Sequence, residues 1–164
     1  MKIRVAAYGV FAALALIFSY VEALIPINLG IYGVKLGLAN LIVVIALYKM
    51  HAKEAFTISV VRIIVSGFLF GNMVSILYSL AGGILSFLVM YLMKRTGKFS
   101  IIGVSIAGGV FHNIGQLIAA ILVVKTLSIA YYGPVLVIAG LISGALIGIA
   151  ANEMQKRLSG LNLR

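Results

Sequence analysis

The sequence predicts an all-α integral membrane protein, a bundle of six transmembrane helices with both termini on the cytoplasmic side. Three observations carry this. Of 164 residues, 63% are hydrophobic and only 10% charged, where a soluble domain has about 45–50% and about 25%. The apolar residues fall into six long runs separated by short polar or glycine-containing joints. The basic residues divide between alternate joints, the pattern that orients membrane spans.

The first run, about 4–25, follows Lys2 and Arg4 and superficially resembles a signal peptide, with Ala13-Leu-Ala15 as its cleavage site. The run continues to Ala23, longer than the roughly 7–15 residues of a signal h-region, so it reads as an uncleaved helix. Pro26, Asn28, Gly30 and Gly33 mark the first joint. The second and third runs, about 34–50 and 54–70, are short and leave little room for tilt; Met50–Lys53 joins them. Gly67–Asn72 leads to the fourth run, about 73–93, and Lys94–Ser100 to the fifth, about 100–124. Thr126–Gly133, just before Pro134, precedes the sixth, about 132–152. A span needs about 20 residues. Six of them make residues 1–164 a single transmembrane domain with no room for a separate catalytic one.

Alternate joints sort the charges. One side carries Lys2, Arg4, Lys49, Lys53, Lys94, Arg95, Lys98, Lys156, Arg157 and Arg164, and the other carries Lys35 and Lys125, with Arg62 between. The positive-inside rule then places both termini in the cytoplasm, in a multi-pass protein of the cell (plasma) membrane. It also accounts for the net charge of +10 without nucleic acid as a partner.

Cysteine and aspartate are absent, and the acidic residues are Glu22, Glu54 and Glu153. This excludes disulfides, thiolate chemistry and a carboxylate cage for magnesium. No cofactor is expected. A metal site is not expected either, because His112 and His51 belong to different depths. The chain is read as a non-enzyme.

Arg62 lies in AFTISVVRIIVSGFLF, residues 55–70, about eight residues from either end. A charge at that depth costs about 2.5–3.5 kcal/mol on insertion scales, so it faces a partner, water or a ligand. Most other embedded polar groups belong to the outer half: Glu22, Lys35, Asn40, Asn72, Ser75, Tyr78, His112, Asn113 and Gln116. A channel needs polarity along its whole path; a pocket open to the outside needs it only there. The expected occupant is a small anionic molecule, with Lys35, Asn40, Arg62, Tyr78, His112, Asn113, Gln116 and Glu22 as candidate substrate-binding residues. Each has a plainer alternative. Arg62 can pair with Glu22 across a depth difference of roughly 7 Å. His112 and Gln116, four apart, can make an interhelical hydrogen bond. Lys35 can snorkel to the headgroups, and Tyr131 and Tyr132 suit an interfacial belt.

Two small-residue stripes remain, Gly140, Gly144 and Gly148 in the last run and Ala6, Gly9 and Ala13 in the first. They let another helix approach closely, either inside the bundle or on a docking partner. The pentapeptides SLAGG (79–83) and SIAGG (105–109) read as small-residue seams of two helices rather than a true repeat.

Three stretches, GVKLGLAN (33–40), YSLAGG (78–83) and FHNIGQ (111–116), resemble the membrane family labelled Gx transporter, also called heptaprenyl diphosphate synthase component I. That family is similar in size and hydropathy to the S components of energy-coupling factor (ECF) transporters. The resemblance implies an S-component-like bundle with an outward pocket, docked through its first helix on a transmembrane coupling subunit driven by two ATPases. A vitamin, quinone precursor or isoprenoid precursor would be the ligand. The family's other name implies a noncatalytic membrane subunit of a heptaprenyl diphosphate synthase or redox complex. Without aspartate the chain lacks the motifs that hold magnesium and diphosphate in a prenyltransferase. A membrane enzyme using His112 as acid or base ranks last, because Glu22 and His112 alone make a poor catalytic set.

Overall fold

The computed structural model describes residues 2–25 and 37–160, with side chains from residue 5 onward. Six α-helices and one short 3-10 segment follow in order: α1 (Lys2–Leu24), α2 (Leu38–Lys49), α3 (Ala52–Phe70), α4 (Met73–Thr96), α5 (Ile101–Val124), the 3-10 turn Leu127–Tyr132, and α6 (Gly133–Arg157). Four segments are long and apolar enough to cross a membrane: Val5–Leu24, Met73–Thr96, Ile101–Val124 and Leu127–Arg157. The chain is therefore a multi-pass membrane protein. Its outward faces agree, carrying Val5, Ile17, Phe68, Leu77, Leu122 and Ile138 exposed as a lipid-facing surface requires.

The joints are built from local chemistry. The Glu54 side chain accepts from the His51 amide at 2.9 Å and closes the start of α3. At α4, Asn72 and Ser75 cap each other reciprocally, at 2.8 and 3.0 Å. Ser100 accepts from the Gly103 amide at the start of α5. Each bond satisfies an amide that a helix leaves without an internal partner. Gly97 ends α4 at φ 69°, where a side chain would be strained.

The second run departs from expectation. Instead of a span over 34–50, α2 covers only Leu38–Lys49. At 1.5 Å per residue it reaches about 18 Å, short of the roughly 30 Å hydrocarbon core. Gly37, at φ 73°, precedes it, and residues 34–36 lie outside the described part. A short helix that is apolar all round has to be wrapped by protein, and α2 is. Every residue from Leu41 to Leu47 is buried, and α1, α3 and α6 pack around it. Elsewhere α1 meets α3, α3 meets α4, α4 meets α5 and α5 meets α6. The six helices thus close a ring in the order α1, α3, α4, α5, α6, α2.

Glycines set how tightly this ring closes. A Cβ on Gly82 would come within 2.6 Å of the His112 carbonyl, and one on Gly83 within 2.6 Å of Ile63 Cδ1, so α4 meets α5 and α3 there. On α5, Gly108 meets Met90 and Gly109 meets the Gly140 carbonyl, so the two pentapeptides are indeed seams. Buried hydroxyls stitch the same contacts: Ser86 donates to the Gly108 carbonyl and Ser105 to the Gly144 carbonyl, both at 2.8 Å.

The C-terminal ends of α2, α4 and α6 meet at one end of the bundle. Lys94 donates to the Leu47 carbonyl beside the Tyr48 ring, Gln155 Nε2 to the Ile45 carbonyl at 3.2 Å, and Lys49 to the Leu158 carbonyl at 2.5 Å. Lys53, Arg95, Lys98, Lys156 and Arg157 belong to the same end. The last helix runs five residues past its expected limit, where Glu153 pairs with Lys156 at 3.4 Å and Arg157 at 3.7 Å. Ionic pairs on one face let a helix continue into water.

Candidate functional site

A cavity of about 140 Å³ sits inside the ring and is lined from all six helices. Arg62, in the middle of α3, reaches it beside Asn40 in the first turn of α2, and Nη2 donates to Asn40 Oδ1 at 2.7 Å. The Asn40 amide donates to the Gly37 carbonyl at 2.8 Å, and the Gly37 amide donates to Glu22 Oε1 at 2.5 Å. Glu22 thereby supplies a carboxylate at the N-terminal end of α2, where the helix dipole favours it.

The expected alternative, an Arg62–Glu22 ion pair, does not form. All three acidic side chains of the chain are described. Glu22 is engaged by Gly37, Glu54 by His51, and Glu153 by Lys156 and Arg157. None lies within ion-pair distance of Arg62. The Arg62 Nε is wholly shielded from solvent and has no hydrogen-bond partner. Among the described residues its one bond is to a neutral amide, so no carboxylate contacts it directly, although Glu22 lines the same cavity. Removing or withholding the partner of a buried charge costs several kcal/mol, roughly 3–5.

Six of the eight predicted binding residues come together on this cavity: Glu22, Asn40, Arg62, His112, Asn113 and Gln116. Asn113 also donates to the Leu136 carbonyl at 2.7 Å and ties α5 to α6. Tyr78 does not join them. It sits on α4 one residue from Ser79, which does line the cavity, and helical geometry turns neighbouring side chains about 100° apart. Lys35 lies outside the described residues.

Sequence reading missed a set of serines, Ser19, Ser66, Ser79, Ser86, Ser105 and Ser143, which also line the cavity. Of these, Ser86 and Ser105 carry polarity past the level of Arg62, into the half expected to be purely apolar. Among apolar residues a lone serine gives no signal, since its hydroxyl satisfies itself on a helix carbonyl, as Ser19 does on Ala15 at 2.9 Å.

The two small-residue stripes separate. Gly140, Gly144 and Gly148 are buried against α5, where added Cβ atoms would meet Gly109, Ile106 and Ile102 within 2.7–2.8 Å. The docking face expected on the last helix is instead filled by internal packing, because these glycines let two backbones touch. On α1, Ala6, Gly9 and Ala13 are exposed, and nothing lies within 4 Å of a Cβ added to Gly9.

Comparison with curated proteins and with solved structures returns no match. Comparison with protein families matches residues 11–154, most of the chain, to heptaprenyl diphosphate synthase component I. That matched stretch contains Glu22, Asn40, Arg62 and His112 together with the YSLAGG and FHNIGQ motifs. The chain belongs to the heptaprenyl diphosphate synthase component I family.

Proposed function

We infer that this protein is a noncatalytic membrane subunit that binds a small anionic solute in the ring cavity and hands it to a transport partner, in the manner of an S component. All six helices belong to the membrane domain in this reading, α2 as a short enclosed helix, with the basic end in the cytoplasm and the cavity served from outside. The observation that carries it is Arg62, a shielded cation facing the cavity whose guanidinium has no ion pair among the described residues. An incoming anion would give the guanidinium the direct anionic partner it lacks among the described residues. In this reading any ATP-driven step comes from other subunits. The exposed stripe Ala6, Gly9 and Ala13 on α1 is the face that would meet a coupling protein.

The family's name favours a second reading, in which the chain is the membrane component of a heptaprenyl diphosphate synthase and anchors a soluble catalytic subunit. Gentle solubilisation of native membranes, affinity capture of the tagged chain and mass spectrometry separate the two. Two ATPases with a transmembrane coupling protein, in stoichiometric amounts, are the result expected of the transport reading. A prenyltransferase without ATPases would replace it with the second.

A further inference from the structure

We propose that the solute held in the ring cavity is a compact zwitterion, a monocarboxylate carrying an amine or ammonium group, and not a phosphate or diphosphate. This rests on the binding role given above and names the class of ligand.

Among the described residues, the charges lining the cavity are balanced: the fixed charges are one guanidinium, Arg62, and one carboxylate, Glu22. A diphosphate, with two or three negative charges, would meet one cation among the described residues and be repelled by Glu22 in a weakly screening environment. A carboxylate brings one charge and a planar pair of acceptors, which the guanidinium fork matches. Arg62 keeps donors for it, because among the described residues only Nη2 is engaged, by Asn40, and the shielded Nε has no partner.

Glu22 asks for the opposite end of the ligand. Its Oε1 is taken by the Gly37 amide, while Oε2 accepts no hydrogen bond among the described residues. An ionised carboxylate only accepts, so its complement is an N–H or ammonium group. The bonds from Glu22 through Gly37 and Asn40 to Arg62 fix both charges relative to one helix end, giving two recognition points of opposite sign. Size agrees. A cavity of about 150 Å³ accommodates benzene, and this one is about 140 Å³, well below the roughly 300–1,000 Å³ of sites for drug-sized ligands.

The test uses the full-length protein in detergent and measures binding by calorimetry with matched pairs. The amine-bearing probes are 4-aminobutanoate, 6-aminohexanoate and 4-aminobenzoate. Their partners without the amine are butanoate, hexanoate and benzoate, and the anion controls are inorganic phosphate and isopentenyl diphosphate. We expect saturable binding of at least one amine-bearing probe, at least tenfold tighter than its partner. Glu22→Gln, which can still accept from Gly37, should erase that tenfold preference. Arg62→Gln should abolish binding, and Arg62→Lys should restore part of it, which separates a lost contact from a lost fold. Saturable binding of phosphate or diphosphate, with none of the zwitterions, would overturn this proposal while leaving the anion-binding role intact. No saturable binding of any probe by a monodisperse protein would overturn both.

Discussion

Arg62 donates to Asn40 across the α3–α2 contact at 2.7 Å, and this neutral amide is the hydrogen-bond partner of a shielded cation. The bond orients the guanidinium without cancelling its charge. A site of this kind is preorganised for an anion, because the cost of desolvating the arginine has already been met in the empty fold.

Supplying the anion from within the chain should therefore close the site. Asn40→Asp places a carboxylate where the amide oxygen now sits. We expect a rise in melting temperature of about 2–4 °C for each kcal/mol of stabilisation, together with loss of the stabilisation that bound solutes give. Thermal denaturation of the purified protein with and without solute reads both. An unchanged melting temperature would show that Arg62 is already neutralised.

The contact between α5 and α6 depends on missing side chains. Gly109→Ala puts a Cβ within 2.4 Å of the Gly140 carbonyl and 3.2 Å of Gly144 Cα, neither of which can rotate away. The expected cost is about 1–3 kcal/mol. Gly9→Ala meets nothing within 4 Å and should stay within about 0.5 kcal/mol. Melting curves of fluorescent fusions followed by size exclusion would rank the two.

Hydroxyl bonds between helices should be worth more than those within one. Ser105→Ala removes a buried bond from α5 to the Gly144 carbonyl, for an expected loss of about 0.6–1.7 kcal/mol. Ser143→Ala removes a 3.4 Å bond to Gly140 in its own helix and should cost less. Equal losses on thermal or denaturant unfolding would contradict this account of the seam.

The natural chain contains no cysteine, so single cysteines report topology cleanly. Lys98→Cys, in the joint between α4 and α5, should react with an impermeant maleimide only after cells are opened. Leu127→Cys, exposed beyond the far end of α5, should react in intact cells. Labelling of both from the same side would refute the alternating arrangement that places the basic end in the cytoplasm.

Hydropathy and charge made much of this protein legible in advance. Six helical runs, their joints and the depth of Arg62 all follow from local chemistry, since a backbone in lipid must satisfy its own hydrogen bonds as helix. The resemblance carried by GVKLGLAN, YSLAGG and FHNIGQ likewise led to the family. What tertiary structure decided is which surfaces face one another. An apolar run such as residues 38–49 looks the same whether lipid or protein surrounds it, so only packing showed α2 to be short and enclosed. A glycine ladder permits close approach without naming the partner, and contact with α5 fixed that for Gly140, Gly144 and Gly148. For the site, the sequence supplied the charges, and the fold brought Glu22 and Arg62 to one cavity without a direct ion pair, binding one to Gly37 and the other to Asn40 at the start of α2. Periodicity orients a side chain about its own helix axis; the distance between charges on two helices is set by how those helices pack.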